Sequence, residues 1–144
     1  MIKFAPSLWL NDLSKATPPG VGTPRRIKRG PLLNLTVLQA VIASKQLNDQ
    51  GVWPATRRCR NSLEDYGWNY DDVLKVLSCL LAVDYKKSEW CDVDGDRTVP
   101  CDVYTLGYDE VRRQRNPSSL EIYLKFSVDD GNQLTLVLVQ SHFS

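Results

Sequence analysis

The sequence predicts an α+β domain in which N-terminal helices pack on a C-terminal antiparallel sheet. Three observations carry that expectation. Apolar residues recur at helical spacing between positions 33 and 81, they alternate with a period of two between 120 and 140, and the turn between the last two segments is short enough for a hairpin. The 144 residues suit one domain rather than two, and 42% hydrophobic content is enough for a core. No apolar run approaches the ~20 residues of a membrane-spanning helix. The first ten residues hold no sustained apolar stretch, so no secretory leader and a cytoplasmic location are expected.

Residues 1–32 stand apart as a basic, Pro/Gly-rich N-terminal arm. They carry Lys3, Lys15, Arg25, Arg26, Lys28 and Arg29 against Asp12 alone, which leaves the rest of the chain net acidic. Five prolines and three glycines here exclude a long helix or a central strand. Residues 7–13 could form one short amphipathic piece anchored by Trp9. Such an arm could meet a polyanion or a protein, or act as a solvated linker. The domain proper is expected over 33–144. Asn34 is placed to cap a helix over 33–47, which 48–51 ends. A second helix is expected over 56–66, closed by Gly67. Asn69 is placed to cap a third over 70–81, with Asp71 and Asp72 in the first turn where the helix dipole favours them. Its buried stripe is Val73, Leu74, Val76, Leu77, Leu80 and Leu81.

The period then changes. Residues 82–88 are ambiguous, 91–96 read as an acidic loop, 99–104 as a strand and 106–119 as a polar loop carrying three arginines. Over 120–128, Leu120, Ile122, Leu124, Phe126 and Val128 point one way, and Glu121, Tyr123, Lys125 and Ser127 the other. Asp130-Gly131-Asn132 is a hairpin signal, and 134–140 is the returning strand.

The chemistry-bearing motifs are mostly negative. Cys59, Cys79, Cys91 and Cys101 are too scattered for a disulfide scaffold and read as reduced thiols. The alternating acids after Cys91 fail as a calcium loop, because the sixth and twelfth positions from Asp92 are Arg97 and Val103. With one histidine in the chain, neither a metal nor a cofactor is expected. There is no nucleophile elbow and no phosphate-cradling glycine loop. What remains is Tyr85, Lys86, Lys87, Tyr104, Tyr123, Lys125 and His142. Tyr123 and Lys125 share the face opposite the apolar stripe of their strand, and His142 ends the neighbouring strand. RNA cleavage by 2′-OH attack needs a base, an acid and cations for the phosphorane, and these residue types fit. They also fit the ordinary polar faces of two strands. Arg112, Arg113 and Arg115 could track an RNA backbone or sit on a solvated loop.

Three blocks in order carry a family resemblance: Tyr70–Leu77 leading to Asp84-Tyr85-Lys86-Lys87-Ser88; Asp102-Val103-Tyr104; and Ile122-Tyr123-Leu124-Lys125-Phe126 followed by a glycine hairpin and the apolar strand 136–139. Over residues 66–142 the chain resembles the MqsR family of toxins, RelE-superfamily mRNA interferases of type II toxin–antitoxin systems. The resemblance implies a RelE-like fold, sequence-selective and metal-independent endoribonuclease activity on mRNA, and a cognate antitoxin protein as partner. It places functional groups on Lys87 and Tyr123 and a basic group at His142. Lys125, Tyr85, Tyr104, Arg112, Arg113 and Arg115 are then candidates for holding RNA. Cys101 stands where the family has a glutamine, and the 106–119 segment is longer than usual. The alternative is a non-catalytic nucleic-acid- or protein-binding module on a repurposed scaffold of this kind.

Overall fold

Three helices are nucleated by local chemistry. In the computed structural model, which describes residues 8–10, 25–47, 51–129 and 134–143, Asn34 caps α1 (Leu35–Ala43) by accepting from the Val37 amide. Thr56 caps α2 (Arg57–Tyr66), and Gly67 ends it in the left-handed conformation (φ 68°) that a Cβ would disfavour. Asn69 and Asp72 form a reciprocal capping box at the start of α3 (Tyr70–Cys79). The last turn of α3 holds no basic residue. Its carbonyls are met from elsewhere: Gln39 donates to Leu77 and Leu80, and Arg115 donates to Cys79.

Among the described residues, seven strands make one sheet: β1 (Arg26–Ile27), β2 (Val52–Pro54), β3 (Tyr85–Val93), β4 (Arg97–Asp109), β5 (Gln114–Arg115), β6 (Glu121–Asp129) and β7 (Thr135–Phe143). A 3-10 turn, Ala82–Asp84, leads into β3. The order is β1-β3-β4-β6-β7-β2, with β5 paired to β4. This corrects the expected RelE-like layering of N-terminal helices on a C-terminal antiparallel sheet. β1 precedes every helix, and β2 lies between α1 and α2 and runs parallel to β7, so the sheet is mixed. Strands of two and three residues carry no alternation of their own; long-range partners set them. β3 and β4 also run through the expected 91–96 and 106–119 loops, leaving turns at 94–96 and 110–113. The expected hairpin turn at 130–132 lies outside the described residues.

All three helices bury their apolar faces on one side of the sheet. Leu38 and Val41, Cys59 and Leu63, and Val73, Val76 and Leu77 meet Tyr104, Ile122, Leu124, Phe126, Leu136 and Leu138 there. The described parts of the 1–32 segment belong to this same core. Leu8, Trp9 and Leu32 are buried, and Trp9 bridges Leu33. Asp102, fully buried, holds the segment in place by accepting the Leu32 and Leu33 amides and the Ser88 hydroxyl. Residues 11–24, with most of the expected 7–13 piece, lie outside the described residues. Among the described residues no helix is long and apolar enough to cross a membrane.

Candidate functional site

Among the described residues, the opposite face of the sheet carries no helix. At one end it closes on a small apolar cluster of Ala55, Cys91, Val93, Cys101, Val137 and Val139. The β3–β4 turn reaches across to the far edge there: the Asp94 amide donates to the Ala55 carbonyl, Arg60 pairs with Asp94 at 2.6 Å, and Arg97 lies over the Trp53 ring. Away from that end the face is polar.

Two bulges decide which side chains reach it. Strand residues alternate faces, so one inserted residue switches the phase of everything after it. In β7, Lys125 pairs with Gln140 but Phe126 pairs with Leu138, so Val139 is the extra residue. Val137 and Val139 face the small cluster, and beyond the bulge Gln140 and His142 take the same face, while Ser141 and Phe143 turn to the core. In β3 the register slips between Tyr85 and Lys87. Tyr85 and Ser88 face the core, and Lys86 and Lys87 both turn away from it.

The result is a compact set of groups. Tyr123 and His142 are cross-strand partners with rings stacked at 5.0 Å and 21°. Lys125 lies on the same strand face, its ammonium 5.9 Å from the Tyr123 ring centre. It pairs with Glu89 at 2.7 Å, and Lys87 pairs with the other oxygen of Glu89 at 3.0 Å. Burial pushes the Glu89 carboxyl up, but hydrogen bonds from Lys125 and Lys87 outweigh it, and the net direction is down. Burial of the His142 imidazole, with the nearby Arg58 and Lys125 cations, holds it below its ordinary value and so favours the neutral ring. Its Nδ1 and the Thr105 hydroxyl are buried without a hydrogen-bond partner among the described residues. Under Lys125 lie two thiols: a hydrogen bond from Cys101 lowers Cys91, and burial raises Cys101.

No family model, curated protein or solved structure matches the chain.

Of the sequence-derived candidates, Lys87, Lys125, Tyr123 and His142 therefore come together on one accessible face. The others do not join them. Tyr104 is 2% exposed, stacked on Phe126 in the core, and burial raises its phenol, so no base can stack there. Tyr85 packs edge-on against Tyr104 with its hydroxyl on Ser88, on the helical side. Arg113 is committed to Asp72 of α3, and Arg115 to Asp84 and the Cys79 carbonyl, so these two fasten the β4–β5 loop to the helical layer. Arg112 sits exposed in that turn. Glu89 and Thr105 were missed. The alternation of β3 could have revealed Glu89, had 82–96 been read as one strand; nothing local marks Thr105.

Proposed function

We propose that the chain is a metal-independent endoribonuclease acting on single-stranded RNA laid across this open face. One observation carries the reading: an imidazole stacked on a tyrosine stands beside two ammonium groups bridged by a single carboxylate. His142 takes the proton from a ribose 2′-OH. The freed oxygen attacks the adjacent phosphorus, and the P–O5′ bond breaks to give a 2′,3′-cyclic phosphate and a 5′-hydroxyl end. Tyr123 supplies the proton to the leaving oxygen, and Lys87 and Lys125 offset the charge that builds on the phosphorane. Glu89 keeps the two lysines in position until the phosphate competes for them. The resemblance to MqsR toxins supports the same chemistry and a neutralising antitoxin protein.

The test is cleavage of a long mRNA in EDTA with end mapping. Discrete cuts are expected, and His142→Ala and Lys87→Ala should each lose at least ~100-fold in rate while remaining folded by circular dichroism. Full activity in both variants would overturn the site. Tight RNA binding with no cuts would favour the binding-module reading, for which the carboxylate lodged between both lysines is the specific observation.

A further inference from the structure

Lys87 on β3 and Lys125 on β6 both turn to Glu89, so these two cations lie to one side of His142. The other side is bounded by α2. β2 pairs only with 136–138 of β7, and beyond the Val139 bulge α2 takes over that edge. The Thr56 hydroxyl accepts from the Cys59 amide as the helix cap and donates to the Val139 carbonyl at 2.8 Å. At the other end of the helix the Phe143 amide donates to the Tyr66 hydroxyl at 2.6 Å. α2 is thereby fastened along the stretch of β7 that presents His142, and Arg58 in its first turn is near enough to act on the imidazole. Arg57 and Arg58 are exposed, and neither guanidinium has a hydrogen-bond or ion-pair partner among the described residues. Arg60, by contrast, is committed to Asp94 and the Pro54 carbonyl. The charge order of α2 also runs against its dipole. Arginines occupy the first turn, where no acid is present, and Glu64 and Asp65 come near the end. A local rule broken with no compensating contact inside the fold points to a partner outside it.

We infer that Arg58 holds the RNA phosphate on the 5′ side of the ribose that His142 deprotonates, so that the strand crosses the sheet with its 5′ end toward α2. The inference rests on the endoribonuclease reading and adds the polarity of the bound strand. The ribose that gives up its 2′ proton lies upstream of the cleaved phosphate, and the leaving 5′ oxygen lies downstream. With the base on β7 and the acid on β6, the upstream nucleotide takes the β7 side. Its own 5′ phosphate then passes the edge of β7 toward α2. An unpaired guanidinium suits that phosphate, because it stays charged and offers parallel donors to two of its oxygens. Lys87 and Lys125 remain for the cleaved phosphate.

Two measurements test it on the intact chain. The first uses an oligoribonucleotide spanning a mapped cut, with single phosphates replaced by uncharged methylphosphonates, at a pH above the imidazole's range. Neutralising the first linkage 5′ to the cut should raise KM about 10-fold and leave kcat within about 2-fold. Arg58→Ala should do the same, and the two changes together should cost no more than either alone. Neutralising the first linkage 3′ to the cut should instead add to the effect of Arg58→Ala. The second is titration of single-stranded RNA at several salt concentrations. The slope of log K against log salt should shrink by about 0.7 in Arg58→Ala and stay unchanged in Lys75→Ala, an exposed lysine of α3 on the helical side. Cleavage in which Arg58→Ala and the 5′ methylphosphonate act additively overturns the inference and leaves the endoribonuclease reading intact. RNA that binds with the reduced slope in Arg58→Ala but is never cut keeps Arg58 as a phosphate ligand and overturns the endoribonuclease reading, and the polarity with it. An unchanged slope in Arg58→Ala overturns the inference whether or not RNA is cut, and no RNA binding at all overturns both.

Discussion

Asp102 and Glu89 sit on neighbouring strands and face opposite sides of the same sheet. Each is a carboxylate that holds two other parts of the molecule. Asp102 accepts from neutral donors only, the Leu32 and Leu33 amides and the Ser88 hydroxyl, in a site closed to solvent. Burial raises its carboxyl despite those bonds. Glu89 accepts from two ammonium groups that remain partly in water, and the net direction of its carboxyl is down. The first arrangement is rigid, and no outside group can compete for it. The second is held by charge, so an arriving phosphate can take over the same lysines. Fold and candidate chemistry are thereby assigned to different carboxylates.

The largest effect should come from breaking the buried one. Asp102→Ala strands two backbone amides and should cost about 3 kcal/mol, read as a lower midpoint in urea denaturation. A change below ~0.5 kcal/mol, the range of ordinary surface substitutions, would mean that residues 32–33 are not held through Asp102. The opposite behaviour is expected on the other face. Glu89→Gln should leave the urea midpoint within ~1 kcal/mol and tighten RNA binding several-fold at low salt, because two cations are released to phosphate. Weaker binding would show that Glu89 positions the lysines rather than restraining them. The pH signs also differ. Glu89, being lowered, contributes stability above the ordinary carboxylate range that is lost as pH falls through its folded value. Asp102, being raised, has its ionised form disfavoured by the fold, so stability is gained as pH falls through its folded value.

The smallest effect is a displacement of the activity profile. If neutral His142 is the base, activity rises with pH through a value below 6.5, the imidazole's ordinary value. Arg58→Ala removes one of the cations that lower it. The acidic limb of kcat/KM should then move to higher pH by a fraction of a unit. An unmoved limb would mean that another group limits the reaction.

Segments whose signals are local could be read in advance. Asn34 and Asn69 announced their helices, Gly67 its stop, and the alternation from 121 to 128 put Tyr123 and Lys125 on the face away from the core. What could not be read depends on partners distant in the chain. β1 and β2 exist only because β3 and β7 pair with them. The burial of Leu32 depends on a carboxylate 70 positions away. A tyrosine in a strand does not declare its face unless the phase is known, so Tyr104 looked available. The bulge at Val139 that turns His142 toward Tyr123 is an irregularity in a uniformly apolar run, where period carries no information.

The two shortest strands have a consequence for the protein in a crowded solution. β3 and β7 are each nine residues long, and each would offer a row of unpaired amides and carbonyls if it formed the border of the sheet. β1 covers part of one with two residues that include Arg26, and β2 covers part of the other with three that end in Pro54. A border that is brief, charged or interrupted by proline is a poor template for a second chain. These unremarkable segments thereby oppose edge-to-edge aggregation, a role separate from whatever the open face binds.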